Sequence, residues 1–286
     1  PLISQYIWRK FSKKPIIVMH SKTLAEYPDF LDKETCVILL SQSGRTKDTL
    51  LAMKEAMNRE AVCIGITNMR EVERGTLFDV SLYPNGILLR TSTKYYPEKP
   101  LPATGTFHAT ITLLNMLLLA AIQEEGIYDV SNYLKFQSEE MPELINKLSN
   151  SPEVIEWAKD NALKLKEFRN ESFYILGDGP RYGAARKTLI NFMEGAKQDC
   201  TAWETEEFYH NLITTLDRVN LIKKVLILLK PKEGFVSEHM SKLVFEIDLN
   251  WSKFGGEGKY WEINPFKFVD VIVEASVGNL LTPPLY

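Results

Sequence analysis

The sequence predicts an α/β protein built from two doubly wound, open sheets of parallel strands that follow one another along the chain. Three observations carry that expectation. Cys36-Val-Ile-Leu-Leu40 and Val62-Cys-Ile-Gly-Ile-Thr67 are continuous apolar runs with β-branched members, the composition of strands covered on both faces, as parallel strands are. The first run ends abruptly in a polar, glycine-bearing turn followed by a segment with helical spacing, and the spacing between runs is that of βα units. The order strand, turn, helix then starts again at Phe173, as an internal duplication would produce.

The remaining elements follow in order. Residues 15–19 (Pro-Ile-Ile-Val-Met) and 80–83 (Val-Ser-Leu-Tyr) are shorter runs read as further strands of the first sheet, and residues 49–57 have helical spacing. Residues 106–124 read as a long helix. Its apolar stretch, residues 109–122, contains Asn115 and is too short to cross a hydrocarbon layer of about 30 Å, so a buried core helix is expected. The polar stretch 146–153, with Ser149, Asn150, Ser151 and Pro152, sets a domain boundary, giving domains 1–150 and 151–286. The second half should hold a helix over 152–168, a strand at 173–176, a tight loop at 177–181, a helix over 182–197, and strands at 225–229 and 244–247.

The 286 residues are 45% hydrophobic and 25% charged with a formal net charge of −3. No basic field exists to attract nucleic acid or anionic lipid, so neither nucleic acid nor membrane is an expected partner. Cys36, Cys63 and Cys200 are odd in number and far apart, without the close pairing of a zinc site or disulfide framework. No metal is expected, and a reducing compartment fits. No signal peptide is visible, so a cytoplasmic location is expected, with upstream residues ahead of Pro1.

Ser41-Gln-Ser-Gly-Arg-Thr46 places three hydroxyls and a glycine between a buried strand and a helix. A helix N-terminus offers unpaired N–H groups and a positive dipole end, glycine admits close approach, and hydroxyls add donors, so the turn can cradle a phosphate. The same residue types also cap helices without any ligand, and composition leaves both readings open. The loop lacks the Gly-Lys-[Ser/Thr] ending of a Walker loop. Gly177-Asp-Gly-Pro-Arg-Tyr-Gly183 spaces its glycines somewhat as a dinucleotide fingerprint does, but no acidic residue ends a strand at ribose-binding distance, so no nucleotide cofactor is expected. Ligands of open α/β sheets sit beyond the carboxyl ends of the strands, where Gly177 and Gly179 stand, and both are assigned to the substrate side.

Glu194 lies on the helix after that second turn, where partial burial is expected, and His210 lies in Trp203-Glu-Thr-Glu-Glu-Phe-Tyr-His-Asn211. A carboxylate and an imidazole can together move a proton between adjacent carbons and open a sugar ring. A solvated helical glutamate and a hydrogen-bonded structural histidine would look the same at this level.

Together these segments resemble the sugar isomerase (SIS) family. Ser41-Gln-Ser-Gly-Arg-Thr-Lys-Asp-Thr49 is similar at every fixed position to the family's Ser-Gln-Ser-Gly-x-Thr-x-(Asp/Glu)-Thr loop, and Glu-Glu-Phe-Tyr-His210 resembles its Gly-Glu-Phe-x-His segment. Glu194 and His210 are also separated as the family's catalytic glutamate and ring-opening histidine are. The nearest resemblance is to the isomerase half of glucosamine-6-phosphate synthase and its single-function relatives.

The resemblance implies two tandem Rossmann-like, flavodoxin-type SIS domains, and a sugar phosphate held by Ser41, Gln42, Ser43 and Thr46. It implies C1–C2 proton transfer by Glu194, ring opening by His210, and no metal or redox cofactor. A homodimer sharing its active site is implied too, with Trp203, Phe208 and Tyr209 as interface anchors. The family's first strand and Cys-Gly-(Thr/Gly)-Ser loop would precede Ser4 and are expected to be missing. Asn191 replaces the lysine of the synthases, Asn211 replaces the family's glycine, as in bifunctional phosphoglucose/phosphomannose isomerases, and no glutaminase domain is expected. The tail that carries a catalytic lysine in several members ends here at Pro284-Leu-Tyr286. Isomerase, aminosugar-phosphate deaminase and deglycase chemistry all begin with the same proton shift. The alternative from another class is a non-catalytic sugar-phosphate-binding regulator.

Overall fold

The apolar runs at Cys36 and Val62 do form strands, in a computed structural model that describes residues 1–91, 104–166, 172–212, 224–228 and 260–261. In chain order the elements are α1 (Gln5–Phe11), α2 (Ser21–Glu26), β1 (Cys36–Leu40), α3 (Lys47–Asn58), β2 (Val62–Thr67), β3 (Gly86–Arg90), α4 (Gly105–Glu125), α5 (Ser131–Lys135), α6 (Met141–Ser149) and α7 (Pro152–Lys166). They continue with β4 (Ser172–Leu176), α8 (Pro180–Asn191), β5 (Cys200–Trp203), α9 (Thr205–Glu207), β6 (Lys224–Leu228) and β7 (Tyr260–Trp261).

Two sheets result, in the orders β1-β2-β3 and β5-β4-β6-β7, and every pairing is parallel. Parallel neighbours need a crossover between them, which α3 supplies for β1 and β2, and α8 for β4 and β5. The fold is therefore the α/β class with parallel sheets that the patterning predicts. By contacts the chain divides into Pro15–Leu117 and a second unit of Pro1–Lys14 with Leu118–Tyr286. In the first, Ala52, Met53 and Ala56 of α3 cover Val37, Leu39 and Cys63, with Leu77 and Val80 in the same core. In the second, Phe173, Ile175, Cys200 and Ala202 pack with Ala185, Leu189 and Phe192. The N-terminal segment joins that unit because Ile3 lies against α8: a Cβ on Gly183 would come within 2.5 Å of Ile3 Cγ1.

Three expectations change. Residues 15–19 form no strand; Ile17 is 67% exposed and the segment pairs with nothing in the sheet. Residues 80–82 belong to a 3₁₀ turn, Leu77–Leu82, opened by the Thr76 hydroxyl accepting from the Phe78 N–H, and Tyr83 caps its end. Its apolar residues are buried three apart, at Leu77 and Val80, which is the 3₁₀ period and not the strand period. The third strand is instead Gly86–Arg90, a half-covered run at the sheet's edge. Finally, α4 spans 21 residues with an 18-residue window of mean hydropathy 1.6, so by length and composition it could cross a membrane. Its buried apolar positions, Ile111, Leu114, Leu118, Leu119 and Ile122, are spaced as one helical face, and Thr106 and Asn115 are buried as well.

The helix expected over 182–197 begins at Pro180, and its last turn, Phe192–Ala196, widens to π geometry before Lys197 ends it in the left-handed conformation (φ 56°). The strand expected at 244–247 lies outside the described residues.

Candidate functional site

The turn after β1 is held by its own hydroxyls. Ser41, buried, accepts the Gly44 N–H at 3.1 Å on Oγ, and the same oxygen lies 3.0 Å from Thr46 Oγ1. Ser43 Oγ accepts the Arg45 N–H at 3.2 Å. Gly44 adopts φ +67°, the left-handed region that favours glycine, and its carbonyl accepts from Leu77 N–H at 2.8 Å. Thr46 is the N-cap of α3, yet its side chain makes no capping hydrogen bond. Its hydroxyl is engaged with Ser41, so the loop's side chains brace the loop instead of closing the end of the helix.

The loop is also tied to the end of β2. The Gln42 carbonyl accepts from Thr67 Oγ1 at 3.2 Å and from the Asn68 N–H at 3.1 Å. Arg45 binds Glu73 through both Nε and a terminal nitrogen, at 3.1 and 2.5 Å. Gln42, Ser43 and Thr46 are exposed, so three of the four predicted phosphate ligands face solvent.

In the other unit the glycine turn after β4 is sterically required. A Cβ on Gly177 would lie 2.8 Å from the Arg181 carbonyl oxygen, and Gly179 has φ +57°. Pro180 then occupies the first turn of α8, where its missing N–H costs nothing. Between the glycines, Asp178 Oδ1 accepts the Thr205 N–H at 2.8 Å and so fixes the start of α9 beside the turn. Phe208, fully buried, packs edge-on against Tyr174 at 5.8 Å, which removes it from the proposed interface anchors.

Glu194 sits in the π-helical turn and is exposed, against the expectation of partial burial. The reason is helical phase: Ala185, Leu189 and Phe192 take the sheet-facing side, and Met193 and Glu194 fall on the outer side. His210 is also exposed; its Nε2 lies 3.3 Å from Glu206 Oε1 one turn earlier. The sequence reading missed Glu204 and Tyr6. Burial, with Asp178 and Glu207 nearby, raises the Glu204 carboxyl above its ordinary range. Burial and the charge of Glu204 raise the Tyr6 phenol likewise. Tyr6 also approaches Gly179, whose Cβ would lie 3.9 Å from its ring. Only the acidic run around Glu204 hinted at this in the sequence; Tyr6 is 172 positions away from Asp178 along the chain and carries no local signal.

Ser41, Gln42, Ser43 and Thr46 thus share one loop, while Gly177, Gly179, Glu194 and His210 belong to the other unit. Among the described residues no three His, Cys, Asp or Glu side chains gather to hold a metal ion.

A parallel α/β sheet whose first strand ends in a hydroxyl-rich turn at a helix N-terminus places this chain among the open α/β proteins, whose ligands sit beyond the carboxyl ends of the strands. Comparison with known proteins finds that residues 5–120 match the SIS domain. Glutamine–fructose-6-phosphate aminotransferase (isomerizing) of Pyrococcus horikoshii is 28% identical over 217 residues, 76% of this chain and 34% of that protein. The chain therefore spans about a third of the length of such relatives. The C-terminal domain of glucosamine-fructose-6-phosphate aminotransferase from Francisella tularensis superposes with a TM-score of 0.73 at 17% identity, covering 98% of this chain and 78% of that one. Glucosamine-6-phosphate deaminase from Thermotoga maritima superposes with a TM-score of 0.62 at 17% identity, covering 97% and 79%. At such identities these two structures share the fold.

Proposed function

We propose that this chain is a phosphosugar isomerase or aminosugar-6-phosphate deaminase that works through C1–C2 proton transfer on a hexose 6-phosphate. The observation that carries the reading is the loop after β1, whose Thr46 hydroxyl is bonded to Ser41 and not to the helix it precedes. That leaves the first N–H groups of α3 without a side-chain cap, beside exposed Gln42 and Ser43, as a phosphate cradle needs. Ser41, Gln42, Ser43 and Thr46 hold the phosphate, Gly177 and Gly179 border the sugar, Glu194 carries the proton, and His210 opens the ring. The reading includes two tandem SIS domains, 1–150 and 151–286, in a cytoplasmic homodimer that shares its site and uses no cofactor. The names of the similar proteins, which include a fructose-6-phosphate aminotransferase and a glucosamine-6-phosphate deaminase, support hexose 6-phosphates as substrates.

The test is a screen of hexose 6-phosphates and aminohexose 6-phosphates with separate readouts for ketose formation and ammonia release. Turnover of none of them, with tight binding of one, would favour the second reading, a non-catalytic sugar-phosphate-binding regulator. That reading draws its support from the exposure of Glu194 and His210.

A further inference from the structure

Thr67, the last residue of β2, is 1% exposed, and its hydroxyl is used twice. It donates to the Gln42 carbonyl at 3.2 Å and accepts the Met69 N–H at 3.1 Å. The Gln42 carbonyl takes a second hydrogen bond from the Asn68 N–H at 3.1 Å, which engages both of its lone pairs. Asn68 is itself fixed: 2% exposed, it donates through Nδ2 to Thr106 Oγ1 at 3.2 Å and accepts from the Thr91 hydroxyl at 3.0 Å. The anchor on which Gln42 rests is therefore a buried, bonded network, stiff by construction.

A peptide unit is planar and trans, so the carbonyl of residue 42 and the N–H of residue 43 point in opposite directions. Drawing the Gln42 carbonyl onto the end of β2 turns the Ser43 N–H away from it. We propose that Thr67 is a positioning residue for the 41–46 loop, its hydroxyl setting the Gln42–Ser43 peptide so that the Ser43 amide is aimed at a bound phosphate group. The proposal rests on the reading of this loop as the phosphate cradle. Hydrogen bonds to an anion are strong when linear and weaken steeply with misalignment, so a peptide plane that is free to rock loses affinity without losing any ligand-contacting group.

The test uses the full chain as wild type, Thr67→Val, which keeps the shape and removes the hydroxyl, and Thr67→Ser, which restores it. Inorganic phosphate is titrated by calorimetry, and amide hydrogen exchange over residues 41–46 is measured in the ligand-free protein. Thr67→Val should weaken phosphate binding about fivefold, the effect of roughly one net hydrogen bond, and speed exchange within 41–46. Thr67→Ser should restore both. Unchanged affinity and exchange in Thr67→Val overturn the proposal and leave the phosphate reading standing. So does a loss that Thr67→Ser fails to rescue, or one that accompanies faster exchange throughout β1, β2 and β3, since Thr67 would then be structural. A wild-type chain that binds no phosphate overturns the cradle itself and the proposal with it.

Discussion

Replacing Gly44 with alanine should destabilise the protein more than the same change at any other left-handed glycine whose surroundings are open. The reason has two separable parts. Gly44 has φ +67°, where an L-residue costs about 1–2 kcal/mol. A Cβ there would also stand 2.9 Å from Met69 Sδ and 3.2 Å from Thr67 Oγ1. Met69 is fully buried and Thr67 is bonded on both sides, so neither can swing clear, and overpacking of that kind adds about 1–3 kcal/mol. The sum is about 2–5 kcal/mol, a large part of an ordinary domain's stability. Gly75 and Gly126 isolate the first part: their φ values are +74° and +68°, and nothing lies within 4 Å of a Cβ at either. Urea titrations of the three variants should therefore give losses of about 1–2 kcal/mol for Gly75→Ala and Gly126→Ala, and more for Gly44→Ala. If Gly44→Ala costs no more than the two controls, the loop is not packed as described and its use as a rigid cradle fails.

Further outcomes follow from the same geometry. Changing Ser41 and Ser43 together to alanine should weaken calorimetric binding of a phosphorylated ligand by roughly 1.5–3 kcal/mol; unchanged affinity would mean that the hydroxyls only brace the turn. Glu194→Gln should lower turnover about 10²–10⁴-fold with substrate affinity largely kept, and solvent deuterium exchange at C2 continuing at the wild-type rate would remove Glu194 from the mechanism. The Glu204 carboxyl is raised by burial and by Asp178 and Glu207, so its ionised form is disfavoured in the folded state. Its folded-state contribution is fullest at acid pH and is lost as pH rises through the raised value. Glu204→Gln should accordingly gain more in thermal midpoint, relative to wild type, at pH 7.5 than at pH 4, and a pH-independent difference would contradict this. Burial pushes the thiols of Cys63 and Cys200 up to about 11, so both should resist a thiol reagent at pH 8 until the chain is unfolded.

The strands β1, β2, β4 and β6 were legible in the sequence because strands covered on both faces must be apolar throughout, and that composition is a local property. So was the loop at 41–46, whose hydroxyls and glycine occupy consecutive positions. Residues 80–83 read as a strand because a four-residue window cannot separate a 3₁₀ period from an apolar run, and only packing against α3 decided that Leu77 and Val80 face inward. β3 escaped notice because an edge strand is covered on one side and keeps a mixed composition. The exposure of Glu194 was set by which face of α8 and its π-helical turn meets the sheet, a matter of helical phase fixed only when Phe173 and Phe192 pack at 5.5 Å. The grouping of Tyr6 with Asp178 and Glu204 depended on tertiary contact alone: local chemistry can be read from adjacent residues, whereas the electrostatic surroundings of a side chain are made by whatever the fold brings beside it.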